Sequence, residues 1–189
     1  MRSLVLLTMI LVATAGQAAE PLKQFSADQV MTVSGQEITS RLYVDGINLR
    51  TEMTMPGAPG MASIVNGEKK VLWILMPGNM YLEKSVASAD DASIKAWSGE
   101  DGREHVGTET INGQECDKYR IKGVEQDMFL YTQIKTGHPV LMTTADQRVR
   151  IEWNNVKPGA QPASLFQLPP GYRKLALPAL PGGFKLPGM

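Results

Sequence analysis

Cysteine is almost absent. Cys116 is the only one in 189 residues, which excludes an internal disulfide and leaves the fold to stand on its core. It also excludes CxxC pairs, whether redox or zinc-binding, and any lipidated cysteine near the N-terminus. Histidine is nearly as scarce. His105 and His138 are the two present, and neither lies in an HExxH or comparable metal-binding spacing. No GxSxG, no phosphate-cradling glycine loop and no Ser/His/Asp order in a recognisable context occurs. A Cys116/His pair could act as nucleophile and base only if the fold brought the two together. The expectation is a protein that is not an enzyme and that uses no cofactor and no metal. An excess of charge is missing too. With 19 basic and 19 acidic residues the formal net charge is zero, so nothing favours nucleic acid or an anionic membrane surface as a partner.

What is present begins with a leader. Arg2 supplies a positive charge, Leu4 to Val12 is apolar apart from Thr8, and small residues run to Ala19. Residues 1–19 are therefore expected to be removed as a signal peptide. The apolar stretch is short of the roughly 20 residues that span a bilayer, and no transmembrane segment is expected in the mature chain. A leader combined with a lone thiol points to the bacterial periplasm. Residues 20–174 are the size of one domain. Residues 175–189, rich in Pro and Gly, read as an extended tail.

From Phe25 to Val156 the chain reads as strand, turn, strand. Asp45-Gly46, Asn66-Gly67 and Asn112-Gly113 are strong hairpin signals, because Gly and Asn accept the positive φ of tight turns. Roughly nine to eleven strands are expected, mostly in a meander. One helix is expected over Ser88–Gly99: Ser88 and Asp91 give a weak capping box, and Ile94 and Trp97 share a face. Too short to be stable alone, it would have to dock that face on the sheet.

Val71-Leu72-Trp73-Ile74-Leu75-Met76 is unbroken apolar sequence in a chain whose other strands mostly alternate. Side chains of a strand point alternately to its two faces, so this strand needs cover on both. A lid, a partner or an apolar ligand could supply the second cover. Met53, Met55 and Met61 bracket a Pro/Gly loop, with Met76 and Met80 beyond. Thioethers suit plain core packing, an adaptable lipid-contacting surface, or Cu(I), and sequence alone leaves the three open.

Leu49-Arg50-Thr51-Glu52-Met53, Ser63-Ile64-Val65-Asn66-Gly67 and Leu72-Trp73-Ile74-Leu75-Met76-Pro77 follow one another in an order that resembles the lipoprotein carrier superfamily. That group comprises the periplasmic lipoprotein carrier, its outer-membrane receptor and an envelope-stress regulator on the same scaffold. Leu165-Phe166-Gln167-Leu168-Pro169-Pro170-Gly171-Tyr172 is similar to the closing segment of related envelope proteins. The resemblance implies a mainly β fold: a single curved antiparallel sheet forming a half-open barrel, covered by one or two short helices. It implies a cavity for acyl chains of lipids or lipoproteins, and its lid-closing arginine would fall near Arg50 or Arg41. The residues expected to line the cavity are Leu42, Leu49, Met53, Trp73, Leu75, Trp97, Met142 and Trp153. The rival expectation is a packed, dry sheet that serves as an interaction or stress-regulatory module for an envelope protein partner.

Overall fold

The chain reverses where residues tolerate positive φ. At the Asn112-Gly113 turn the two φ angles are 49° and 77°, the pairing that a two-residue hairpin with right-handed strand twist requires. The computed structural model describes residues 19–54, 60–86, 103–122 and 126–175. Within them run β1 (Gln24–Val33), β2 (Gln36–Asp45), β3 (Asn48–Thr54), β4 (Ala62–Asn66), β5 (Val71–Met76) and β6 (Met80–Ser85). After the segment 87–102 follow β7 (Arg103–Ile111), β8 (Gln114–Ile121), β9 (Met128–Gln133), β10 (Pro139–Thr144) and β11 (Val149–Pro158). A 3-10 helix (Ala163–Phe166) and the two-residue β12 (Arg173–Lys174) close the described chain.

All twelve strands form one sheet in the order β12-β6-β5-β4-β3-β2-β1-β11-β10-β9-β8-β7. Every neighbouring pair is antiparallel except β12, which lies parallel to β6. The chain is thus two meanders joined where β1 pairs with β11, and the sheet is open, with β12 and β7 at its edges. β12 falls in a stretch where the Pro-rich sequence predicts no strand. It exists because Arg173 N–H donates to the Asn79 carbonyl and Leu175 N–H to that of Tyr81, both at 2.8 Å. The helix expected over Ser88–Gly99, with Ile94 and Trp97, lies outside the described residues, as does the tail beyond Leu175.

The sheet curls on itself. Phe25, Val44, Ile121 and Leu130 are fully buried, although among the described residues no second layer stacks on their face. One cluster joins Val86, just past β6, to Ile121 on β8, with Ala27, Leu42, Leu49, Met142 and Trp153 between. β6 and β8 stand nine steps apart in the strand order, which a flat sheet at about 4.8 Å per strand would spread over roughly 40 Å. Only a strongly curved sheet can bury these residues together; their side is the concave face.

The convex face is covered locally by the chain itself. The β7–β8 hairpin reaches back until Asn112 Nδ2 lies 3.4 Å from Glu152 Oε1, and Ile111 packs with Cys116, Tyr131 and Leu141. That is why every residue of β10 is buried. At the other end of β9, residues before β1 lie along the β9–β10 turn. Ala19 N–H donates to the Ile134 carbonyl and Leu22 N–H to that of Gly137, each at 2.9 Å. Gly137 has φ of 68°, and a Cβ there would run into the Glu20 carbonyl. Gly137→Ala is expected to destabilise by at least the cost of a left-handed non-glycine residue, about 1–2 kcal/mol, read as a lower urea midpoint with an unchanged slope.

Candidate functional site

The apolar strand β5 shows how its two faces are covered. Residues directly opposite in a ladder share a face, as do alternate residues of one strand. Ile64 opposes Trp73 and Ala62 opposes Leu75, and these four pack with Phe166 on the convex face. Leu165, Leu168 and Tyr172 join them. Three side chains clasp the covering segment. Arg50 Nη1 donates to the Leu165 carbonyl at 3.1 Å. Buried Asn66 donates through Nδ2 to the Phe166 carbonyl at 3.0 Å. Lys69 Nζ donates to Gln167 Oε1 at 2.8 Å while standing over the Trp73 ring. Trp73 Nε1 donates to Glu83 Oε2 at 3.1 Å. Hydrogen bonds from Lys174 and Trp73 hold the Glu83 carboxyl below the usual carboxylate range. The convex side of β5 is closed by the chain's own C-terminal segment.

Among the described residues, no segment covers the concave side of the same strand as Phe166 covers the convex one. Leu72, Ile74 and Met76 are each only partly buried, and so are Met80 and Leu82 of β6 and Met53 of β3. Ile74 opposes Leu82 and Met76 opposes Met80, so their side chains adjoin on one surface. Toward β1 and β11 that surface runs into the buried cluster, where Trp153 Nε1 donates to Gln29 Oε1 at 3.0 Å. Among the described residues the concave face is therefore solid at β1, β2 and β8–β11, with Leu49, Val65 and Leu72 packed against that cluster, and half-covered over the rest of β3–β6. This half-covered apolar floor is the candidate site.

The expected lining residues divide accordingly. Leu42, Leu49, Met142 and Trp153 belong to the concave cluster, and Met53, opposite Ser40, shares their face. Trp73 and Leu75 do not line it: the register turns them to the convex face beneath Phe166, and Leu72 and Ile74 take the concave positions. One residue of register makes the difference. Trp97 lies outside the described residues. Arg41 and Arg50 also face the convex side, Arg41 bonded to Asp28 at 2.6 Å and Arg50 to Glu52 at 2.8 Å, so neither reaches over the concave floor.

Cys116 and His105 are not brought together as a nucleophile and base, and His138 meets the Thr136 hydroxyl through Nδ1 in the β9–β10 turn. His105 opposes Tyr119 and Cys116 opposes Glu109, which puts the histidine on the concave side and the thiol on the convex side. Burial raises the Cys116 pKa above the ordinary thiol value, so at pH 8 the folded protein is expected to resist a thiol reagent that labels it quickly in denaturant. What the sequence did not reveal is Asp117. Buried on β8, it holds His105 Nε2 at 2.9 Å, while its second carboxylate oxygen has no partner among the described residues. Tyr119 stands edge-on to His105 with centroids 5.4 Å apart, and burial raises its pKa. No serine, threonine or cysteine donates to His105 among the described residues, and no group of three metal-ligating His, Cys, Asp or Glu side chains occurs there. No described helix is long and apolar enough to cross a membrane.

A family model described as a domain of unknown function, DUF4412, matches residues 26–134, the stretch from β1 through β9. No curated protein matches the chain. Among solved structures, an uncharacterized conserved protein from Thermus thermophilus is 15% identical with a TM-score of 0.58, over 82% of this chain and 91% of that one. The Pseudomonas aeruginosa MucA/MucB complex is 14% identical with a TM-score of 0.45, over 76% of this chain and 55% of that one. LprF from Mycobacterium bovis is 11% identical with a TM-score of 0.37, over 73% and 88%. Of these three, the Thermus protein shares the fold.

Proposed function

The chain belongs to the DUF4412 family, and from that premise we propose that it is a non-enzymatic binding protein of the bacterial periplasm that holds acyl chains on the concave face of its open sheet. The observation that carries this reading is the asymmetry of β5. Phe166 and its neighbours cover the convex face, whereas Leu72, Ile74 and Met76 stay partly exposed on the concave one. A strand apolar on both sides is stable in water only when both sides are covered, and an acyl chain laid across β3–β6 would complete the second. The methylene chain needs no polar partner, and this floor offers few: Thr51, Ser63 and Ser40 are the hydroxyls on the same face, and Lys84, opposite Leu72, is a charged side chain at its β6 edge. Binding would draw on apolar area at about 25 cal/mol per Å², less the cost of ordering the guest. The leader-like N-terminus and the resemblance to lipoprotein carriers support the envelope location and the guest class.

The test is native mass spectrometry of the protein purified from an envelope fraction, followed by titration of the delipidated protein with a fluorescent fatty acid. Co-purified lipid and saturable uptake at one site are the expected results. A clean apo mass with no uptake would leave the rival role, docking of an envelope partner on a dry sheet.

A further inference from the structure

The ladder registers place four methionines in one line. Met53 N–H donates to the Met61 carbonyl at 3.0 Å, which continues the β3–β4 ladder one step past Glu52 opposite Ala62. Ala62 opposes Leu75, so the next step sets Met61 opposite Met76. Met76 opposes Met80. Met53, Met61, Met76 and Met80 therefore cross four adjacent strands as consecutive directly opposed neighbours, all on the concave face, all partly exposed. Cβ atoms so opposed are about 4.5–5.5 Å apart, and three rotatable bonds let neighbouring sulfurs converge on one point. The next row on this face is Thr51, Ser63, Ile74 and Leu82, and the one after it is Leu49, Val65, Leu72 and Lys84. Neither contains a methionine, although strands ordinarily favour β-branched and aromatic residues over it. An apolar floor alone would be served by the leucine and isoleucine of those other rows. What the four positions share is sulfur.

We propose that this row is a binding site for a soft monovalent cation, Cu(I) or its analogue Ag(I), held by three adjacent thioethers. Neutral soft donors select such ions over hard divalent ones. No His, Cys, Asp or Glu among the described residues faces the row to recruit zinc or magnesium instead; Arg173 of β12, opposite Met80, adjoins its outer end, so the ion sits toward Met53, Met61 and Met76. The half-covered floor gives an ion access from solvent, and the flexible side chains let the coordination number adjust. The site is separate from acyl binding in its chemistry and shares only its floor.

The test titrates Ag(I), which needs no reductant, into the purified protein carrying Cys116→Ser to remove the only thiol, and counts bound ions by native mass spectrometry. One Ag(I) per chain is expected, not displaced by excess Zn(II). Met61→Leu with Met76→Leu should weaken it by at least about a hundredfold, since two of the three ligands are lost. Leucine is a volume-conserving replacement, so circular dichroism and fatty-acid uptake should be retained; should the pair fail to fold, each single substitution gives the same reading. Met128→Leu, outside the row, should leave Ag(I) binding unchanged. Equal Ag(I) binding by the Met61/Met76 variant, or none by the parent, would overturn the site without touching the acyl-binding reading.

Discussion

Phe166→Ala is expected to cost about 3–5 kcal/mol, the usual range for emptying a buried phenylalanine site. The side chain is 2% exposed and closes a pocket made by Ala62, Ile64, Trp73 and Leu75, residues of two adjacent strands. Its removal strips the apolar cover from Trp73 and leaves the clasp of Arg50 and Asn66 holding a segment with no anchor. Because a domain of this size is stable by only about 5–15 kcal/mol, the midpoint of denaturation should fall by a large fraction. Trp73 fluorescence should shift to the red even in the folded variant. Leu175→Ala, at a residue 37% exposed, is the matched control and should be near neutral. A Phe166→Ala cost below about 1 kcal/mol would mean that the C-terminal segment is an appendage, and the explanation for the convex face of β5 would fail with it.

The second large effect concerns the other face. Ile74→Glu puts a carboxylate in the middle of the concave floor, between Ser63 and Leu82 in the ladders. In the free protein the position is partly exposed, so the charge can stay hydrated and the stability cost should be modest, about 1 kcal/mol. An acyl chain laid over it would strip that water and bury an unpaired charge, a cost of at least about 2 kcal/mol, or roughly thirtyfold in affinity. Fatty-acid titration should show this loss while circular dichroism stays that of the parent. Val106→Glu, on edge strand β7 at a residue 41% exposed, should bind as the parent does. If Ile74→Glu unfolds the protein instead, the floor is part of a closed core.

How much of this could be read from the sequence follows from which forces are local. Turn chemistry is local, so Asn112-Gly113 and Asp45-Gly46 mark their hairpins, and Val71–Met76 and Gln114–Ile121 are legible as strands to the residue. The need for cover on both faces of β5 is legible as well. Which cover serves which face is not. Trp73 and Leu75 group with Leu42 and Trp153 by size and apolarity, whereas the face of each is set by ladder register, a non-local property. The bonds from Asn66 and Arg50 to Phe166 and Leu165 bridge about a hundred residues and leave no periodic signal. β12 is two residues long and paired by backbone bonds that its sequence does not advertise. The methionines are visible as a group, but their alignment depends on three successive registers and emerges only from the sheet. Asp117 looks like one more strand-surface carboxylate until β7 and β9 are placed on either side of it.

The most direct test of the central claim is carbon-13 methyl NMR of the methionines during titration with a saturated fatty acid. If a guest occupies the concave floor over β3–β6, the methyl signals of Met53, Met61, Met76 and Met80 shift together and saturate at one equivalent. Shifts confined to other methionines, or none at saturating fatty acid, would contradict it.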